Sequence, residues 1–439
     1  MTTGSAEAGS RASRAAPGKV AAARPRSSRP KLSRRAARRP APPTAKGDAS
    51  RAASRRRSLV PEAEPKTPLA QRSADVRRYA LSAPDDVAAF AADLAAGRLD
   101  AHAIVAVIGK THGNGLVNDY TRGHLTLALL TALSDATGLP RRTFQERIPF
   151  IFSGGVEGVL SPHFCVFTVT DVTVKAPGAP AAGARGLAVG VAHSTPMAIA
   201  DIGRERQIAA TADAVTEAMV SAGLKPADVA FVQVKGPAPS GAALAQAADG
   251  AEPPASTDPN RLMALGRAAC AFGVARALGE APTHRLVASA LLRDRDIFSR
   301  VASVSAGVEV GLNEVVALGM AEGWAPGLTI ASAPSADALD VRGLLACCAA
   351  LGLAAWPEAR PERLRAAFVK AEPSRDGSIR GRAHMMLDDG DISAQRHIRA
   401  AVGAVAAAAL GDTAVFVSGG AEHQGPEGGG LVAVIAEND

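Results

Sequence analysis

The sequence predicts an α/β protein built from three similar α/β repeat units around a pseudo-threefold axis, with one central active site. Three observations predict it. An apolar, strand-like run ends at a lysine three times, at Lys110, Lys235 and Lys370. Each lysine is followed by an arginine that leads an Ala/Leu-rich helical stretch, Arg122, Arg267 and Arg396. Each helical stretch is followed by a second apolar run that ends in a small-residue turn, at Ser153, Ser305 and Ser418. Strand-like runs alternating with helical ones are the signature of α/β architecture. One order of features recurring across the chain marks an internal repeat.

In chain order the first element is a tail. Residues 1–76 carry 18 basic and five acidic residues, within a chain of 439 residues and net charge +7. This segment is Ala/Arg/Pro/Ser-rich and poor in large apolar side chains, so it cannot offset the entropy cost of folding. It reads as a disordered basic tail with nothing catalytic in it. A solvated extension, an organelle-targeting segment and a phosphate-binding arm are its three readings. Nucleic acid as a partner rests on this tail alone, which has no aromatic residue to stack on bases. Unit A is assigned to 77–180, unit B to 186–325 and unit C to 327–439. A Ser-Ala-Pro echo at Ser82 and Ser332 marks the starts of units A and C. A long Ala/Gly/Pro stretch from Gly236 to Thr257 reads as a loop over the site.

Composition excludes several classes. The four cysteines form no CxxC pair, which argues against a disulfide scaffold or zinc ribbon and for a reducing, cytoplasmic location. No uninterrupted apolar run of ~18 residues offers a membrane span. Ile104 stands where a P-loop before Gly109-Lys110-Thr111 requires glycine. Asp388-Asp389-Gly390-Asp391 lacks calcium-loop spacing and reads as an exposed turn. Trp324 and Trp356 read as packing residues, and Cys347-Cys348 as small buried apolar ones.

Three lysines, three arginines and three serines, brought to one centre about one axis, give a cationic site dense in hydrogen-bond donors. It suits a small flat ligand with several carbonyl oxygens. No histidine recurs among the units, so a Ser-His-Asp triad has no support. The recurring basic partner is lysine, with an ordinary pKa of ~10.4. Burial among other cations lowers that value and makes lysine a base for serine. Backbone N–H groups after each serine can bind an oxyanion, which points to amide hydrolysis.

Four stretches carry a resemblance. They are Gly109-Lys-Thr-His-Gly-Asn-Gly-Leu-Val-Asn-Asp-Tyr-Thr-Arg122, Ser153-Gly-Gly-Val-Glu-Gly-Val-Leu-Ser-Pro-His-Phe164, Lys370-Ala-Glu-Pro-Ser-Arg-Asp-Gly377 and Ser418-Gly-Gly-Ala-Glu-His-Gln-Gly-Pro-Glu-Gly-Gly-Gly430. Over residues 77–439 the chain resembles the cyanuric acid hydrolase/barbiturase family of ring-opening cyclic amide hydrolases. The resemblance implies three units about one central site, and cyanuric or barbituric acid as substrate. It implies Ser305 as nucleophile and Lys235 as base. It implies substrate contacts from Lys110, Arg122, Ser153, Gly154, Arg267, Ala306, Lys370, Arg396, Ser418 and Gly419. The product it implies is carboxybiuret from cyanuric acid, or ureidomalonate from barbituric acid.

It further implies a structural divalent cation, Mg²⁺ or Ca²⁺, held by Glu372, Ala421, Gln424, Gly425, Pro426 and Gly429, a set of hard oxygen donors. No organic cofactor and no membrane are implied, and the expected assembly is a homotetramer. The chain departs from its relatives at Ser393, where cyanuric acid hydrolases usually place Asn. That residue bears on cyanuric against barbituric acid, which differ at one ring position. Other cyclic amides are further substrate alternatives. A non-catalytic binder of planar anions is the alternative of a different class.

Overall fold

Apolar runs that are buried on both faces read as continuous strands, and those ending near the three lysines do so here. The structure is a computed structural model, and it describes residues 70–173, 183–354, 358 and 361–438. The basic stretch 1–69 and Trp356 lie outside the described residues. The first sheet holds β1 (Ala70–Ala80), β2 (Ile104–Thr111), β3 (Phe150–Gly154) and β4 (His163–Thr173). The second holds β5 (Arg185–His193), β6 (Val229–Pro237), β7 (Ala302–Gly307) and β8 (Glu314–Glu322). The third holds β9 (Leu328–Ser335), β10 (Leu364–Ala371), β13 (Phe416–Ser418) and β14 (Gly430–Glu437), and a small hairpin pairs β11 (Ser378–Ile379) with β12 (Arg382–Ala383).

The orders are β1-β4-β2-β3, β5-β8-β6-β7 and β9-β14-β10-β13, so one connectivity occurs in all three. In each sheet the lysine strand pairs parallel with the serine strand and antiparallel with the last strand. A register shift interrupts each antiparallel pair at Ile104/Ala106, Val229/Phe231 and Leu364/Ala366. A bulge of this kind bends the strand and re-aims the residues beyond it. In all three strands the lysine lies a few residues beyond the bulge.

One face of each sheet feeds a shared core. Ile108, Phe231 and Phe368 belong to it, from β2, β6 and β10. The rings of Phe231 and Phe368 stack with centroids 4.9 Å apart across two sheets. Helices cover the opposite faces: α1 (Ala88–Ala95), α2 (Thr121–Thr137) and α3 (Arg141–Gln145), then α4 (Glu205–Ala222), α5 (Gly241–Ala248) and α6 (Pro259–Leu278), then α7 (Arg342–Ala350) and α8 (Ala394–Leu410). Helix α6 starts where Asp258 caps Asn260 N–H and Pro259 takes the first helical position. It packs so closely on α4 that a Cβ at Gly273 would lie 2.5 Å from the Thr211 Cβ. Helices α6 and α8 both end on a left-handed glycine, Gly279 and Gly411, as C-caps commonly do.

Several expectations need amendment. Residues 70–76, assigned to the tail, form the first part of β1, and Val76 is in the core. Strand β5 starts at Arg185, one residue before the start assigned to unit B. The stretch 236–257 is not all loop, because Ser240 caps α5 and Leu244 anchors it in the interior. The Ser-Ala-Pro echo is not structural: Ser332 lies within β9, whereas Ser82 comes after β1. Arg122 opens α2, but Arg267 lies two turns inside α6. Trp324 is a packing residue, donating its Nε1–H to Ala222 O under the Arg72 guanidinium. All four cysteines are buried and free, and Asp388–Asp391 is exposed. Among the described residues no helix is long and apolar enough to cross a membrane.

Candidate active site

The repeated register sets the site. Lys110 pairs with Ser153, Lys235 with Ser305, and Lys370 with Ser418, each directly opposite on adjacent parallel strands. All three lysines are essentially inaccessible, at 1, 0 and 1% exposure. Lys110 Nζ donates to Ser153 Oγ and Gly154 O, both at 3.1 Å. Lys370 Nζ donates to Ser418 Oγ at 3.0 Å and Gly419 O at 2.7 Å. The middle pair differs. Lys235 Nζ approaches Glu309 Oε1 at 2.5 Å and donates to Phe152 O at 2.7 Å. Ser305 Oγ is buried with no hydrogen-bond partner.

The three pairs meet. Lys235 of the second sheet reaches Phe152, the residue before Ser153 in the first. Lys370 of the third reaches Val304 O at 2.5 Å, the residue before Ser305 in the second. Lys110 of the first lies 5.6 Å from the ring centre of Phe416 in the third. Ser153 and Ser418, 265 residues apart, come within 3.3 Å through their Oγ atoms.

A second ring of contacts surrounds the first. Each small-residue turn carries a glutamate four positions after its serine: Glu157, Glu309 and Glu422. Arg122 Nε stands 2.9 Å from Glu309 Oε1, an ion pair whose angle does not make a hydrogen bond. Arg267 grips Glu422 through Nε at 2.8 Å and a terminal nitrogen at 2.6 Å. The third grip is made by Arg399, at 2.7 and 2.5 Å from Glu157. Each arginine therefore holds the glutamate of another unit.

In this ring of arginine–glutamate contacts the third arginine is Arg399 rather than Arg396. Arg396 lies one turn earlier on α8, its side chain is 48% exposed, and it stands 3.6 Å from Glu157. A signal for this was present. Arg267-Ala-Ala precedes Leu278-Gly279, and Arg399-Ala-Ala precedes Leu410-Gly411, with the same spacing to the closing glycine. The three glutamates recur as regularly as the serines, but the sequence alone assigns them no role.

Burial dominates the electrostatics. It lowers the Lys110 and Lys370 ammonium groups well below the usual lysine value, and nearby Arg399 and Arg267 respectively add to it. Burial brings Lys235 down to about 8, against the pull of Glu309. Glu309 is pushed up by burial, but Lys235 and Arg122 outweigh this and hold it below the usual carboxylate range. Burial raises Glu314, on β8 opposite Lys235, to about 8. Neighbouring side chains crowd the glycine after two of the serines: a Cβ at Gly154 would fall 1.5 Å from Asp119 Oδ2, and one at Gly419 would fall 2.6 Å from Gln395 Oε1. Ala306 holds the matching place in the second unit and is also buried.

The residues named for a cation lie together. Glu372 N–H donates to Gly429 O at 3.2 Å, Gln424 N–H to Ala421 O at 2.9 Å, and Gly429 N–H to Pro426 O at 3.0 Å. Gly425, at φ +90°, abuts Gly430 in the same turn. The Gln424 side chain is committed elsewhere. Its Oε1 accepts Val304 N–H at 2.6 Å, and its Nε2 donates to Gly420 O and Glu422 O. The amide therefore braces the strand of Ser305. Among the described residues, no three His, Cys, Asp or Glu side chains are grouped to hold a metal.

Known proteins share both this sequence and this fold. The family model described as "Amidohydrolase ring-opening protein" matches residues 75–437. The chain is 44% identical over 364 residues to a cyanuric acid amidohydrolase of Ectopseudomonas oleovorans, spanning 83% of this chain and 99% of that one. It is 45% identical over 366 residues to one of Bradyrhizobium diazoefficiens, spanning 83% and 98%. A solved cyanuric acid hydrolase, described as an innovation by structural concatenation, superposes with a TM-score of 0.79 at 41% identity, covering 84% of this chain and all of that one. A cyanuric acid hydrolase from A. caulinodans gives a TM-score of 0.75 at 41% identity, covering 84% and 99%. With sequence, fold and the extent of both matches in agreement, the chain belongs to the cyanuric acid hydrolase family of ring-opening amidohydrolases, enzymes that hydrolyse C–N bonds of cyclic amides.

Proposed function

We propose that the protein opens the ring of cyanuric acid by hydrolysis to carboxybiuret, with Ser305 as nucleophile and Lys235 as base. One observation carries the assignment. Ser153 and Ser418 are each bonded to a lysine and to one another, whereas Ser305 Oγ is buried, unpartnered and directly opposite Lys235. Neutral Lys235 takes the Ser305 proton as Oγ attacks a ring carbonyl, then gives it to the departing ring nitrogen. The ring C–N bond breaks and an acyl-enzyme remains. Water, deprotonated by the same amine, releases the product and restores Ser305.

Lys110, Ser153, Lys370 and Ser418 hold and polarise the other two carbonyls. The N–H groups of Gly154, Ala306 and Gly419 serve the developing oxyanion. Arg122, Arg267 and Arg399 fix the turns that present the serines, and Arg396 stands at the rim. The repeated connectivity and the cyclic lysine contacts support a pseudo-threefold arrangement of the units around a ligand that is itself threefold.

A divalent cation, Mg²⁺ or Ca²⁺, is part of this reading. The fit rests on Glu372, which is 4% exposed and raised to about 8 by burial and by Glu422. A buried carboxylate beside another calls for positive neighbours; Arg375, 3.6 Å from Glu372, supplies one, and a cation would add to it. Glu372 and the main-chain carbonyls of Ala421, Gln424, Gly425, Pro426 and Gly429 would hold the ion. It would neutralise charge under the Ser418 turn. Metal analysis of the purified protein checks this.

Barbituric acid is the second reading. Ser393, exposed at the start of α8 and without a side-chain cap bond, is the residue assigned in this reading to select between N–H and CH₂ in a ligand. The test is purified protein with cyanuric acid, barbituric acid and other cyclic imides, monitored by loss of ring absorbance. Turnover of cyanuric acid, abolished in Ser305→Ala with binding retained, is expected. Turnover of none identifies a binder, and full activity of Ser305→Ala removes the dyad.

A further inference from the structure

The three lysine–serine pairs differ in what lies behind the lysine. Opposite Lys110 on the next strand is His163, and opposite His163 is Ala80. Opposite Lys370 is Leu431, and opposite Leu431 is Pro334. Opposite Lys235 is Glu314, and opposite Glu314 is His193. Residues directly opposite on neighbouring strands share a face, with Cβ atoms roughly 5 Å apart. The second sheet therefore carries one continuous row, Ser305–Lys235–Glu314–His193, that crosses all four of its strands. The first row ends at a histidine whose Nδ1 is tied to Ser161 O at 2.8 Å, and then at alanine. The third passes at once into apolar side chains.

The outer end of the middle row borders a cavity. Glu309, Glu314 and His193 line a cavity of about 430 Å³ whose other walls include Leu312, Arg142 and Glu146. Arg142 and Glu146 are exposed, so the cavity opens to solvent. Two polar atoms at this outer end are buried and without a protein partner among the described residues, Glu314 Oε2 and His193 Nε2. Buried polar atoms of this kind need a partner, and water from the cavity supplies one.

Hydrolysis of a cyclic imide yields an open-chain acid. The Ser305 proton goes to Lys235 and on to the ring nitrogen. One water proton returns through Lys235 to Ser305 Oγ. When the new carboxyl group ionises, one further proton is left in a site closed to solvent. We propose that Glu314, backed by His193, is the exit for that proton, taking it from Lys235 and passing it to water in the outer cavity. This rests on the Ser305–Lys235 assignment, and it explains why one of three similar pairs can turn over.

Burial brings Lys235 down to about 8 and raises Glu314 to about 8, so both groups can take up and release a proton near neutral pH. Glu309 is unsuited to the role, because Lys235 and Arg122 keep it ionised. The charged or titratable groups facing Glu314 are Lys235 on β6, Glu309 after β7 and His193 on β5. Arg142 and Glu146 face it across the cavity from α3, and Glu217 of α4 acts on His193.

The test compares wild type with Glu314→Gln, which keeps the shape and cannot carry a proton. Expected is a fall in kcat of about tenfold or more with KM within about twofold, and a changed pH profile. Glu314→Asp should recover part of the rate, and added formate should raise the rate of Glu314→Ala. Wild-type kcat and pH profile in Glu314→Gln overturn the proposal. If Glu314→Gln does not fold, His193→Gln decides. A rate that is low in dilute buffer and recovers with added imidazole supports the exit, and a wild-type rate at every buffer concentration overturns it. Failure of the underlying reading is seen separately, as activity in Ser305→Ala or no turnover by the wild type.

Discussion

Arg399 and Arg396 sit one turn apart on α8 and within reach of the same carboxylate, yet removing them should have very different costs. Arg399 is 4% exposed and makes two charged hydrogen bonds to Glu157, at 2.7 and 2.5 Å. Arg399→Ala leaves Glu157, itself 8% exposed, as a buried charge without its main partner. Breaking such a pair costs about 3–5 kcal/mol. Arg396 is half exposed, with a single contact at 3.6 Å. Exposed pairs contribute about 0–1 kcal/mol, so Arg396→Ala should be close to silent in stability. The assay is urea unfolding of both variants beside wild type, with turnover measured on the same samples. Arg399→Ala should also lower turnover, since Arg399 fixes the Ser153 turn through Glu157. The double variant Arg399→Met with Glu157→Leu should recover part of the lost stability, because no charge is then stranded. Equal losses for Arg396→Ala and Arg399→Ala would refute the reasoning.

The same geometry sets the outcome of further experiments. Because neutral Lys235 is the base and burial brings it down to about 8, kcat/KM should rise with pH through about 8. Roughly one-tenth is neutral at pH 7, so a rise of about tenfold to the plateau is expected. Glu309→Gln removes a group that favours the ammonium form and should move this limb to lower pH, and movement to higher pH contradicts the assignment. Deleting residues 1–69 should leave turnover and unfolding unchanged. Deleting 1–76 cuts into β1 and removes Val76 from the core, at a cost of at least ~2 kcal/mol. Identical unfolding of the two truncations argues against that boundary.

Much of the site was legible in the sequence because its chemistry lies on strands, where position along an apolar run fixes pairing. Lys110, Lys235 and Lys370 close such runs, and their serines close the next ones, so the facing pairs could be read by eye. Arg399 was not legible in the same way. On a helix, Arg396 and Arg399 lie three positions apart on nearly one face. Their difference arises from Glu157, 242 residues away from Arg399 in sequence. The glutamates were visible but mute, since a carboxylate after a glycine turn says nothing until its guanidinium is located. The row Ser305–Lys235–Glu314–His193 was hidden for another reason: register between antiparallel strands depends on bulges that no local pattern announces. Helix α5 was masked by its Ala/Gly/Pro composition, and only its Ser240 cap and Leu244 anchor mark it.

The arginine grips run from the first unit to the second, from the second to the third, and from the third back to the first. They form a closed circuit of mutual dependence. A fragment holding one unit would expose a lone guanidinium and a lone carboxylate, each shaped for a copy of the other. Such a fragment could satisfy both only by gathering two siblings, so it should be insoluble or trimeric, and stable as a single chain in neither case.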